Sequence, residues 1–166
     1  MELTSDTAKA QVKQGVASLK VTLDRRPGMT DGEWSGWYHH GWRVPGVQVS
    51  ESVRLRCWFK MDKIEPYYPT VRFKLFDADG TQMKLNWNPP GGGKVRRAAV
   101  NRWFDIDIPI RNAEIMVEGE DGRFDNLVRL QVIYRYQSFR SFGTYTRWYD
   151  DVRLVQSEGD DAADTR

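Results

Sequence analysis

The chain predicts an all-β fold, a two-sheet antiparallel β-sandwich of eight or nine strands. Three observations carry this. Several segments alternate apolar and polar residues with period two, the signature of half-buried strands. Turn signals rich in Gly, Pro and Asp recur at the roughly 8–12-residue spacing of a sandwich. Only Arg111–Gly119 reads as a short helix or an irregular crossover. Hydrophobic residues make up 40% of the 166, charged residues 29% and aromatics 13%. That is a globular composition with the aromatic excess of a β fold.

In chain order, strands are expected around Glu2–Ala8 and Ala17–Leu23, joined by a turn at Gly15. Residues 23–33 form a loop. Trp34–Trp42, the most aromatic stretch, is read as loop or strand edge, and Val44–Val49 leads through Pro45 and Gly46 into the central strand. In that strand Val53, Leu55, Cys57, Phe59 and Met61 take one face; Arg54, Arg56, Trp58 and Lys60 take the other. Glu65–Pro69 is a loop. Next, Val71, Phe73 and Leu75 oppose Arg72, Lys74 and Phe76. A hairpin turn at Asp77–Gly80 leads to a strand over Gln82–Trp87, which the Pro89–Gly93 run ends. Trp103–Ile110 alternates again, with Phe104, Ile106, Ile108 and Ile110 inward and Asp105, Asp107 and Pro109 outward. In a third basic strand Val128, Leu130, Val132, Tyr134 and Tyr136 oppose Arg129, Gln131, Ile133, Arg135 and Gln137. Arg147–Val155 closes the domain.

The domain is expected to span residues 1–156, with residues 157–166 an acidic linker or tail in which Glu158, Asp160, Asp161 and Asp164 face only Arg166. The net charge of +2 therefore leaves the body more basic than the whole. No apolar run of about 18 residues suggests a membrane span, and no leader pattern opens the chain. Cys57 reads as a small buried hydrophobe. No zinc spacing, P-loop, dinucleotide fingerprint or nucleophile elbow is present. His39 and His40 are adjacent, so a strand sends them to opposite faces.

If the three basic strands lie side by side, their outward residues merge into one surface: Arg54, Arg56, Trp58, Lys60, Arg72, Lys74, Arg129 and Arg135. Arginine forks suit carboxylates and sulfates, and an indole suits a flat ring. Trp34, Trp37, Trp42 and Tyr68 are candidates for the rim of a cleft, although at least two of the three tryptophans are expected to serve the core. Trp87 and Trp103 read as core.

Gly15-x-x-Ser18-Leu19-Lys20-Val21 resembles the second strand of jelly-roll carbohydrate-binding modules of the galactose-binding-like fold. Tyr149-Asp150-Asp151-Val152-Arg153-Leu154 resembles their last strand. Val47–Lys60 and Arg102–Asp105 resemble strands between the two. The resemblance covers most of residues 2–156. It implies a non-catalytic, secreted module, monomeric and attached to a glycan-degrading enzyme, which binds polysaccharide. It also implies a structural calcium, with Asp150 as ligand and Glu2 or Asp6 facing it.

Together these readings point to binding of an acidic polysaccharide, a uronate or a sulfated glycan. Two alternatives stand beside it: a neutral-glycan module using the Trp34–Trp42 aromatics, and a small jelly-roll polysaccharide lyase. A lyase would need Tyr134, Tyr136, His39 or His40 to remove a proton beside the carboxylate, but Tyr134 and Tyr136 read as inward. Single-stranded nucleic acid also favours cations beside aromatics, yet the charge is modest and no nucleic-acid motif is present.

Overall fold

The computed structural model describes residues 2–6, 18–27, 37–50, 52–63, 71–88, 100–121, 123–135 and 143–156. Ten strands run through them: β1 (Glu2–Asp6), β2 (Ser18–Arg25), β3 (Trp37–Gln48), β4 (Val53–Met61), β5 (Val71–Asp77), β6 (Gln82–Trp87), β7 (Phe104–Pro109), β8 (Glu114–Val117), β9 (Asn126–Arg135) and β10 (Gly143–Gln156). One 3₁₀ turn, Ile110–Asn112, links β7 to β8. The stretch read as a short helix or crossover, Arg111–Gly119, thus holds the end of this turn and the four-residue strand β8.

Pairing sorts the strands into two antiparallel sheets. Sheet A runs β1-β2-β10-β4-β7 and sheet B runs β3-β9-β5-β6-β8. Period-two alternation then assembles the core between them. Sheet A contributes Val53, Leu55, Cys57, Phe59, Met61, Ile106, Ile108 and Tyr149; sheet B contributes Val71, Phe73, Leu75, Met83, Leu85, Leu130 and Val132, all buried. Cys57 is the buried small hydrophobe expected. Burial first, then the charges of Asp105, Asp151 and Asp150, push its thiol pKa up. Trp87 packs on the core edge, its ring 6.1 Å from Phe59 and 5.8 Å from Phe104.

The loop between β5 and β6 is set by carboxylates. Asp77 accepts from the backbone N–H of Asp125 (2.9 Å) and Asn126 (2.6 Å). Asp79 accepts from the N–H and the hydroxyl of Thr81, both 2.8 Å away, and its pKa is lowered to about 2, chiefly by that backbone N–H. Gly80 supplies the positive φ of 95° that the turn needs.

Two sequence expectations are corrected here. Trp37–Gln48 is one long strand, carried past Pro45 and Gly46 by a register shift between Arg43 and Val47; Gly46 takes φ 61° there. On β9 the alternation slips at Val128. Phe76 pairs with Arg129 and Asp77 with Leu127, so Val128 is an extra residue and Leu127, not Val128, is fully buried.

Candidate functional site

The topology decides which cations can act together. β5 and β9 are neighbours, but β4 lies in the opposite sheet. A single basic surface over three strands therefore does not form. Arg54, Arg56, Trp58 and Lys60 stand on the outside of sheet A, and Arg72, Lys74 and Arg129 on the outside of sheet B, with the core between. Arg135 occupies the same register series on β9, opposite Trp37 on β3.

On sheet A the cations are already engaged. Arg54 pairs with β7 Pro109, and Arg56 with Asp107. Asp107 accepts from Nε of Arg54 at 2.5 Å and from Nε and Nη2 of Arg56 at 2.9 and 2.7 Å. Burial raises the pKa of this carboxyl, but the hydrogen bonds from Arg56 and Arg54 outweigh that and hold it below its ordinary value. Lys60 is only 5% exposed, with its ammonium 5.6 Å from the Trp103 ring and 5.4 Å from the Trp148 ring. It is closed off from any ligand approaching the face. β7 brings Asp105 and Asp107, both read as outward, alongside β4, so this face carries acids next to its cations.

On sheet B the outward rows run across β3, β9, β5 and β6. One row aligns Arg43, Arg129, Phe76 and Gln82; the next aligns Gly41, Gln131, Lys74 and Lys84; the third aligns Ile133, Arg72 and Asn86. No carboxylate stands in these rows. The acid that follows, Glu114 on the edge strand β8, takes Lys84 at 2.7 Å, and that hydrogen bond lowers its pKa. Phe76 lies between two cations, with Lys74 Nζ 5.0 Å and the Arg129 guanidinium 5.1 Å from its ring centre. Arg72 Nε donates to Asn86 Oδ1 at 2.8 Å. At Gly41 an added Cβ would lie 2.7 Å from Gln131 Cγ and 3.4 Å from Arg129 Nε, so glycine leaves room for these two side chains to lie across β3. Arg43, Phe76, Gln131 and Lys84 complete the face. The period-two rule marks them as outward, but only the strand pairing shows that they meet.

The aromatic candidates separate in the same way. Trp42 pairs with the buried Leu130, packs against the core and meets His40 edge-on at 4.8 Å. It turns inward and is partly buried, the role expected of at least two of the three tryptophans. His40 shares that side of β3, and burial lowers its pKa. Trp37 and His39 lie on β3 and Tyr134 on β9, but only their backbone register is described. Trp34, Tyr68, Tyr136 and the 157–166 tail lie outside the described residues.

Glu2 and Asp150 are not brought together. Glu2 pairs with Thr22, which pairs with Thr146, so four residues of β10 separate its row from Asp150, roughly 13 Å along the strand. Asp6 pairs with Ser18, next to the Leu19 that faces Tyr149, and so comes closer in register. Among the described residues no group of three His, Cys, Asp or Glu side chains could hold a metal ion. The Glu2–Asp150 pair does not fit a calcium site.

No protein-family model matches the chain, and no curated protein matches it. Solved structures do. A family 11 carbohydrate-binding module from Clostridium thermocellum, in complex with a beta-1,3-1,4-mixed-linked tetrasaccharide, superposes with TM-score 0.57 at 14% identity, over 93% of this chain and 83% of that one. The fold is the jelly roll of carbohydrate-binding modules. The family 30 module of a cellulosomal cellulase from the same organism shares this jelly roll with TM-score 0.55 at 14% identity, over 95% of this chain and 83% of that one. A family 28 module specific for non-crystalline cellulose gives 0.52 at 13%, over 93% and 82%.

Proposed function

We propose that the chain is a non-catalytic carbohydrate-binding module that holds an acidic polysaccharide, a uronate or a sulfated glycan, on the outer face of sheet B. The observation that carries this is the run of cations and amides over β3, β9, β5 and β6 without a carboxylate. Carboxylates and sulfates suit Arg forks and Lys ammonium groups, whereas Gln82 and Asn86 suit sugar hydroxyls. The arginines of sheet A already hold Asp107 and offer less to an anion. The jelly-roll fold supports the class of ligand. In this reading the module belongs to a larger extracellular glycan-degrading protein and acts as a monomer.

The test is affinity gel electrophoresis in polygalacturonate, dextran sulfate and mixed-linkage β-glucan at two salt concentrations. Retardation by an acidic polymer that fades with salt, and that Lys74→Ala/Arg129→Ala abolishes, is the expected result. Retardation unchanged in that variant overturns the site. The structural neighbours solved with, or specific for, neutral glucans favour a second reading, and salt-insensitive retardation by the β-glucan would select it. Appearance of unsaturated sugar product would overturn the non-catalytic reading. A structural calcium on Asp150, with Asp6 in place of Glu2, is part of the proposal. It requires the melting temperature to fall on chelation, and an unchanged melting temperature removes it.

A further inference from the structure

We infer that the outside of sheet A carries a second carbohydrate site, for one neutral sugar unit, in the depression beside Trp58. It rests on the carbohydrate-binding reading for the class of ligand, but not on the sheet B site. The depression holds about 200 Å³ and is lined by Arg56, Cys57, Trp58, Asp105, Asp151 and Arg153. Pockets for drug-sized ligands run to roughly 300–1,000 Å³, so this one suits a single ring rather than a length of chain. Its lining includes the indole of Trp58, partly exposed on β4, and an indole stacks on the apolar face of a ring.

The polar lining is balanced and held in place. Two guanidinium groups face two carboxylates, so the lining is neutral in sum, unlike the cationic sheet B face, and it favours an uncharged ligand. Each sugar hydroxyl both donates and accepts, and here it meets donors and acceptors side by side. The groups do not wait for a ligand to order them. Arg56 is fixed on Asp107, and Arg153 Nε lies 3.2 Å from Asp151 Oδ2. A bulge between Asp150 and Arg153 interrupts the pairing of β10 with β4, and within it Asp151 takes a left-handed φ of 48°. Bulges re-aim side chains, and a non-glycine residue at positive φ is uncommon. This one brings both Asp151 and Arg153 to the depression.

The test is a titration of the ¹⁵N-labelled protein with cellotetraose, a neutral probe, following the Trp58 indole N–H, which Trp58→Phe assigns. It is run on the parent and on Lys74→Ala/Arg129→Ala, which leaves this depression untouched. A saturable shift of equal affinity in both, weakened about tenfold by Arg153→Ala or Asp151→Asn, is expected. No shift at Trp58, or a shift undiminished in both of the latter variants, overturns the inference. If the acidic polymers fail to retard the protein while Trp58 still responds, only the sheet B reading falls. The reverse pattern removes only this site.

Discussion

Phe76→Ala probes the sheet B face at its most constrained point. The ring is half-buried and flanked by the Lys74 ammonium at 5.0 Å and the Arg129 guanidinium at 5.1 Å. Each such contact at an exposed site is worth about 0.5–1 kcal/mol, so the pair contributes ~1–2 kcal/mol. Loss of half of an aromatic side chain's burial adds ~1 kcal/mol. The expected destabilisation is therefore ~2–3 kcal/mol. A domain of this size shifts by about 2–4 °C per kcal/mol, so melting should fall by roughly 4–12 °C. Phe76→Leu separates the two contributions, since leucine keeps most of the apolar contact and none of the π face, and should lose only ~1–2 kcal/mol. Both variants also release the two cations from their fixed positions, and affinity for polygalacturonate should weaken about tenfold. Urea denaturation and calorimetry read the two effects separately. If Phe76→Leu matches the parent in both stability and affinity, the ring does not hold the cations in place, and the reasoning fails.

Asp107→Asn tests the arginine clamp of sheet A through pH. The folded-state pKa of Asp107 is depressed, so its stabilising contribution is complete above the ordinary carboxylate range and is lost as pH falls through the lowered value. The variant should be less stable than the parent near neutrality, and the gap in urea midpoints should close in strong acid; a gap independent of pH contradicts the clamp. Gly119→Ala should destabilise by ~1–3 kcal/mol, because a Cβ there would lie 2.5 Å from Asp79 Oδ2 and from the Thr81 backbone N. An unchanged thermal midpoint would show that the segment after β8 is not seated on the β5–β6 turn. Cys57, buried with its thiol pKa raised, should resist Ellman's reagent until the protein is unfolded in denaturant, and rapid native labelling would contradict its placement.

The sequence makes the faces of single strands legible. Val53, Leu55, Cys57, Phe59 and Met61 are all buried as the alternation in β4 demands, and Ile106 and Ile108 follow the same rule in β7, with Ile110 buried at the start of the 3₁₀ turn beyond it. What alternation cannot carry is strand order. An outward residue in either sheet has the same local pattern, so Arg56 and Arg129 look like members of one surface although the core divides them. Only the pairing of β4 with β7, fifty residues on in the chain, reveals that Asp107 holds Arg54 and Arg56. The other misreadings are irregularities of the ladder. Pro45 and Gly46 look like a break, but the extra residues beside them keep β3 continuous. The additional residue at Val128 exchanges the faces only at the start of β9, where Leu127 turns inward, and no local propensity announces it. Trp42 shares its aromatic stretch with Trp37, and only its place opposite Leu130 shows that it turns inward.

The division of polar groups between two sheets has a consequence for engineering and for divergence. Packed sheets stand about 10 Å apart, and substitutions separated by more than about 7–10 Å without shared partners usually add independently. Arg129 or Lys74 on one side and Arg153 or Asp105 on the other meet that condition. Libraries built on the two surfaces can therefore be selected separately and recombined, with the rigid interior as an insulating layer between them.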